Sequence, residues 1–168
     1  MGSNEAILHK MLQSRLFEYM SLSEVESMYS IAKHVSFKAG DYIIQENEEG
    51  EDFFWIHAGR VSVEITAPDN SGKKVQLSTL NEGNLLGEMV LLGKNRRTAS
   101  AKALTDCDLV SWKCTECFKI FNEDSHLGFR LMNNFAQILA HRIHEMNLRM
   151  RDNSEDLQSD FLRYLRSA

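Results

Sequence analysis

Between Gly83 and Ala101 the chain reads Gly-Asn-Leu-Leu-Gly-Glu-Met-Val-Leu-Leu-Gly-Lys-Asn-Arg-Arg-Thr-Ala-Ser-Ala. These residue types suit a ribose phosphate. A short helix opening near Gly87 turns unpaired backbone N–H groups, those of Met89 and its neighbours, and a positive dipole end towards an anion. Arg97 carries a planar fork that matches two phosphate oxygens. Thr98 and Ser100 add hydroxyls of adaptable direction, and Ala99 between them leaves room. Glu88 repels phosphate, so its place here makes sense as an acceptor for a sugar hydroxyl. Leu86, just before the turn, is counted with the candidate binding residues. A Gly-Glu pair alone carries no information, and an Arg-Arg pair is ordinarily a solvated surface pair. The plain alternative is a glycine-bounded loop between two strands. What favours the phosphate reading is the ordered set across the whole window.

These groups need a scaffold. Leu8, Met11, Leu12 and Leu16 recur at helical spacing. Ser23 with Glu26 three residues on predicts a capped second helix through about Ala32. Period-two patterns follow at Val35 and Phe37, Tyr42 to Gln45, Phe53 to His57, and Val61, Val63 and Ile65. Pro68 to Lys74 has the chemistry of a hairpin loop, with Val75, Leu77 and Leu80 on the return strand. Ala99, Ala101 and Ala103 alternate, and Leu109 to Trp112 form a last strand. Short strands at close spacing predict an antiparallel sandwich or roll. Thr115 then caps a short helix over Glu116 to Phe121. An apolar stripe from Leu127 to Met150 predicts a helix of about 25 residues, too long for a small roll to bury. Asn153-Ser154 is expected to end it, and Ser154 to cap a final amphipathic turn with Leu157, Phe161, Leu162 and Leu165.

Bulk properties narrow the function. A chain of 168 residues has room for one domain and an appended helical region. A net charge of −5 argues against general nucleic-acid binding. No apolar run approaches the roughly 18 residues that span a bilayer. Three cysteines fit a reducing cytosol better than a disulfide scaffold, so a cytoplasmic location is expected. Cys114 and Cys117 have redox or zinc spacing, but no second pair completes a tetrahedral site, and they read as buried small hydrophobes. His141 and His144 read as solvated, and no metal is expected. The acidic run Glu46 to Asp52 lacks the alternation of a calcium loop and reads as a solvated loop. No nucleophile elbow, Walker loop, kinase signature or histidine cluster of an oxygenase is present, so an enzyme is not expected.

The 83–101 window resembles the phosphate-binding cassette of the cyclic nucleotide-binding domain family. Gly87, Glu88, Arg97 and Ala99 fall on its most specific positions. Arg96-Arg97-Thr98-Ala99-Ser100 is especially similar to the version in cyclic nucleotide-gated and hyperpolarisation-activated channels. The resemblance runs from about Leu16 to about Asn147, through Phe37 to Gln45 and Phe53 to Val61. Three positions depart from it: Arg96 where proline is common, Leu86 where an aromatic is common, and Asn47 where a turn glycine is common. Asn tolerates a left-handed backbone, so that turn can survive.

The resemblance implies an α+β fold, an antiparallel β-roll (double-stranded β-helix or jelly-roll) flanked by N-terminal helices and a long C-terminal helix. It implies a non-catalytic sensor whose ligand is cyclic AMP or cyclic GMP. Arg97 and the N–H groups near Met89 and Thr98 would hold the cyclic phosphate, and Glu88 the ribose 2′-hydroxyl. Counting without gaps places Ile138 and Arg142 on the helix that covers the purine, with a hinge in Asn122 to Gly128. Thr98 can bond a guanine amino group, yet channels with the same threonine respond to cyclic AMP, which is the expected ligand. Residues 1–33 are expected to be an N-terminal helical segment, 34–113 the roll with its cassette at 83–101, 114–152 the hinge and lid or dimer helix, and 153–168 a short amphipathic helix. The sixteen residues after Asp152 are too few for a winged helix, so DNA is not an expected partner. Membrane insertion is not expected either; a homodimer through the C-terminal helix and an effector protein are. The alternatives are a dimerisation or adaptor domain that binds no nucleotide, and the cytosolic part of a gated channel.

Overall fold

The computed structural model describes residues 3–67, 72–93 and 96–167, and side chains through residue 151. Eight strands form two antiparallel four-stranded sheets. One has the order β1-β8-β3-β6, with β1 Lys33–Phe37, β8 Cys107–Lys113, β3 Asp52–Ala58 and β6 Leu85–Leu86. The other has the order β2-β7-β4-β5, with β2 Tyr42–Ile44, β7 Ser100–Ala103, β4 Val61–Thr66 and β5 Lys74–Leu80. Helices α1 (Ser3–Leu12) and α2 (Leu22–Ser30) precede the roll, and α3 (Cys114–Glu123) and α4 (Ser125–Ser167) follow it. The expected α+β roll with flanking helices is the observed architecture.

Strand β3 explains why there are two cores. Its run Phe53-Phe54-Trp55-Ile56 is buried throughout. Successive side chains of a strand point to opposite faces. Phe54 and Ile56 pack inside the roll with Leu86, Leu109 and Val61. Phe53 and Trp55 pack on the other face against the helices, with Met28, Leu131 and Phe135. Trp112 on β8 stacks on Phe53 at 5.3 Å and donates its indole N–H to the Met28 carbonyl at 2.7 Å. A sheet covered on both faces needs this continuous apolar run rather than a strict alternation.

Several local expectations are corrected. The capping box is Ser21 with Glu24, not Ser23 with Glu26: the Ser21 hydroxyl accepts from Glu24 N, and Glu24 Oε2 accepts from Ser21 N at 2.7 Å. Both pairs fit the same pattern two residues apart. The tertiary partner Arg130, 3.1 Å from Glu24 Oε2, favours the earlier one. Helix α2 ends at Ser30, before Ala32. Thr115 is not a cap; α3 begins at Cys114, whose N–H is satisfied by the Glu51 carbonyl. Val75 and Leu77 are exposed, and of the expected return-strand residues Leu80 is the buried one. The acidic run is not simply solvated, because Glu46 Oε2 accepts from Thr66 N and Oγ1 and from Lys74. Phe118 is 43% exposed. Much of the expected 68–74 hairpin loop lies outside the described residues.

The long helix differs most. It runs 43 residues without a break at Asn153-Ser154. Asn and Ser cost a helix interior only a few tenths of a kcal/mol each, whereas Gly or Pro would be needed to stop it. The final segment is therefore not a separate helix, and the side chains of Leu157, Phe161, Leu162 and Leu165 lie outside the described ones. Asp124 separates α3 from α4, inside the stretch expected to hold the hinge.

Buried Asn134 on α4 ties the N-terminal helices to the long helix. Its Nδ2 donates to the Leu16 and Glu18 carbonyls at 3.0 and 2.8 Å. Beside them Tyr19 holds a left-handed backbone, φ 60°, which is strained for an aromatic residue. Asn134→Ala leaves two carbonyls unpaired and should lower unfolding free energy by about 2–4 kcal/mol. Urea denaturation checks this, and an unchanged midpoint would mean that the amide holds nothing.

Cys114 and Cys117 are buried free thiols. Burial pushes Cys114 from its ordinary value of 9.0 up to about 11, and Cys117 up to about 12. An acid whose pKa is raised on folding stabilises the fold fully below its unfolded value and loses that stabilisation as pH rises through the folded value. Stability should therefore fall between pH 9 and 12, more steeply than in a Cys114→Ala/Cys117→Ala variant. Iodoacetamide at pH 8 should label neither thiol until the chain unfolds; rapid labelling of the folded protein would contradict the burial.

Candidate functional site

Strand β6 delivers the site. Its two residues pair with β3, Leu86 opposite Phe54 and Leu85 opposite Trp55. This fixes where the chain leaves the sheet. Gly87 then takes a left-handed backbone, φ 75°, and opens a 3-10 helix over Glu88–Leu92 that closes on Gly93, φ 76°. Residues with side chains rarely adopt such angles, which accounts for glycine at both ends. The short helix expected near Gly87 is thus present in its tighter form.

Glu88 is 7% exposed. Its Oε1 lies 2.5 Å from Arg142 Nη1 on α4, and Arg142 Nη2 donates to the Leu85 carbonyl at 2.5 Å. The second oxygen of Glu88 has no partner among the described residues. A carboxylate this buried is costly unless paired, and Arg142 supplies the pairing.

Arg97 approaches from the opposite wall. Its backbone is clasped by the β2–β3 loop: Arg97 N donates to Glu48 O, and Asn47 N donates to Arg97 O, both at 2.8 Å. Asn47 has the left-handed backbone, φ 69°, that a glycine would otherwise supply. The Arg97 side chain is half-buried, and Nη1 donates to the Gly87 carbonyl at 3.1 Å. Burial pulls its pKa below the ordinary 12.5, while Asp52, Glu48 and Glu88 among its neighbours oppose that pull. The guanidinium remains charged at neutral pH.

Between these walls lies a cavity of about 100 Å³. Leu86, Gly87, Glu88, Met89, Arg97, Thr98, Ala99 and Arg142 all line it. Ligand pockets usually measure roughly 300–1,000 Å³, so this one is contracted. Ile138 is the exception among the expected residues. It packs on the helix-side core, one turn before Arg142, and does not line the cavity. Ser100 lines the cavity, but its hydroxyl accepts from Glu46 N at 3.0 Å and Lys74 Nζ at 3.2 Å, so it serves the wall more than a ligand. Sequence reasoning missed Arg96 at the cavity edge, Asp52 beside Arg97, and Gly50, which the guanidinium covers. The acidic composition of 46–52 hid the last two. Among the described residues no three metal-ligating side chains converge, and no helix is long and apolar enough to cross a membrane.

Comparison with known proteins bears on this geometry. The family model described as cyclic nucleotide-binding domain matches residues 34–124, more than half of the chain. Human potassium/sodium hyperpolarization-activated cyclic nucleotide-gated channel 2 is 38% identical over 96 residues, 57% of this chain and 10% of the channel. The cGMP-dependent protein kinase egl-4 of Caenorhabditis elegans is 27% identical over 100 residues, 60% of this chain and 13% of the kinase. The chain thus spans about a tenth of the length of these relatives. Among solved structures, Thermus thermophilus catabolite activator protein superposes with a TM-score of 0.71 at 26% identity, covering 84% of this chain and 63% of that one. A β-roll matched in fold and in family model, with glycine, buried glutamate and arginine around one cavity, has one consistent interpretation: the chain belongs to the cyclic nucleotide-binding domain family.

Proposed function

We propose that this chain is a regulatory sensor that binds a cyclic nucleotide, cyclic AMP ahead of cyclic GMP, and relays occupancy through α4. The observation that carries the reading is the Glu88–Arg142 ion pair, which joins the cavity floor to the long helix. The cyclic phosphate meets the Arg97 guanidinium, which the Gly87 carbonyl holds at the cavity, together with N–H groups near Met89 and Thr98. The ribose 2′-hydroxyl donates to the second oxygen of Glu88. Putting cyclic AMP first follows the likeness of residues 96–100 to the channel cassette; the exposed Thr98 hydroxyl accommodates either base.

The relay follows from space and charge. The cavity measures about 100 Å³ and Arg142 of α4 is part of its wall, so a displacement of α4 would widen it for a nucleotide. A hydroxyl on Glu88 changes the carboxylate's bond to Arg142, so ligand and helix position are linked. Arg142 is then placed to stack on the purine. Ile138 anchors the same turn to the helix-side core.

The outer face of α4 supports a homodimer. Phe129, Ala136, Ile143 and Met150 alternate with Met132, Leu139 and Met146 at spacings of three and four, a heptad pattern whose Met132 and Leu139 pack against the helix-side core while Phe129, Ile143, Met146 and Met150 stay exposed. Phe129 is 73% exposed, Ile143 56% and Met150 60%. A seam this apolar fits a second copy of α4 better than water. A dimerisation domain that binds no nucleotide shares this feature and is separated by the ligand titration below.

Calorimetric titration should give saturable binding of cyclic AMP at micromolar dissociation constant or tighter, about −8 kcal/mol. Arg97→Ala should weaken it tenfold or more, since a charge-assisted bond contributes roughly 1.5–3 kcal/mol. A 2′-deoxy analogue should bind clearly more weakly. No heat with either nucleotide would defeat the reading, and equal binding of the deoxy analogue would remove Glu88 from the ribose. In sedimentation velocity the chain should run as a dimer, and Ile143→Lys as a monomer with its thermal midpoint retained. A wild-type monomer at high micromolar concentration would leave the seam without its partner.

A further inference from the structure

We infer that Gly50 is a positioning residue for Arg97, and that the side chain it lacks is the space in which the guanidinium lies. The inference rests on the reading that Arg97 meets the cyclic phosphate. A Cβ built on Gly50 would overlap Arg97 Nε and Nη2 and stand 2.6 Å from Cζ. A Cβ on Gly87 would stand 2.8 Å from Nη1. The guanidinium therefore occupies a slot with one glycine on each side, closed by its bond to the Gly87 carbonyl. Asp52, two residues beyond Gly50, is the acidic group that most favours its charge.

Neither backbone can retreat to make room. Residues 47–49 pair with 96–97 through the bonds at Asn47 and Glu48 and a bridge between Glu49 and Arg96. Gly50 itself does not have a left-handed φ, so alanine suits its backbone. The atoms that a methyl group would strike are the far end of a long flexible side chain. The fold should therefore tolerate Gly50→Ala, while the guanidinium leaves the slot and loses Gly87. Glycine is needed at position 50 to aim a cation sitting 47 residues along the chain, not to turn the backbone.

The test compares wild type, Gly50→Ala, Arg97→Gln and the double variant. The ligand-free proteins are examined by the Arg97 Nε–H resonance at pH 6, assigned by its loss in Arg97→Gln. Binding is titrated with cyclic AMP and with cyclic GMP. Gly50→Ala should shift the Nε–H resonance and speed its solvent exchange, keep the thermal midpoint, and raise the dissociation constant about tenfold or more. On top of Arg97→Gln it should change binding less than twofold, because the two substitutions act through one group. An unmoved Nε–H resonance overturns the slot, whatever the affinity. A moved resonance with unchanged affinity overturns its role in binding, and equal losses in both backgrounds assign Gly50 to the fold instead. If wild type binds neither nucleotide, the sensor reading fails on that result, and the resonance alone decides the slot.

Discussion

Double-sided burial of the sheet β1-β8-β3-β6 is the constraint on which the molecule depends. One face of β3 closes the roll and the other seats the helices, so neither core exists without the other. The same strand sets the register of β6, whose two residues lead directly into Gly87 and Glu88. Placement of the cavity-lining groups is thus a by-product of packing two apolar layers on one sheet. Trp112, stacked on Phe53 and bonded to Met28, locks the helical layer to that sheet. An error in strand register would reverse every side chain and misplace the cavity with the core.

The cavity is a balance of few charges in a half-dry space. Glu88 is too buried to stand alone and is held by Arg142, while Arg97 sits between Gly50 and Gly87 with Asp52 near. Each pair is small, yet burial weakens the screening of its charge. Arg142 belongs to a helix of 43 residues, so the ion pair joins Glu88 to a long element. Asn134 ties the same helix to the N-terminal segment through the Leu16 and Glu18 carbonyls.

Much of the fold was legible from residue patterns. The existence of β4 and β8 and the glycine-framed helix at Glu88 reflect short-range stereochemistry, whereas the period-two pattern expected at Phe53 to His57 is a continuously buried run, because β3 is covered on both faces. Asn47 in a left-handed turn was readable from the same short-range stereochemistry. Boundaries were less so. Ser21 and Ser23 both begin a capping pattern, and the choice fell to Arg130, more than a hundred residues away. The break expected at Asn153-Ser154 failed because weak local preferences do not stop a helix that contains neither proline nor glycine there.

The sequence by itself determined which groups of the 83–101 window face the cavity: Gly87, Glu88, Arg97, Thr98 and Ala99 lie within a dozen or so residues, and their chemistry and spacing are local properties. Tertiary structure alone decided what surrounds them. It paired Glu88 with Arg142 across 54 positions, turned Ile138 to the other core, and laid Arg97 over Gly50. Such contacts depend on strand register and helix rotation, where one residue of slip or a hundred degrees of turn exchanges one neighbour for another. Residue type along the chain carries no record of that choice; the closed roll does.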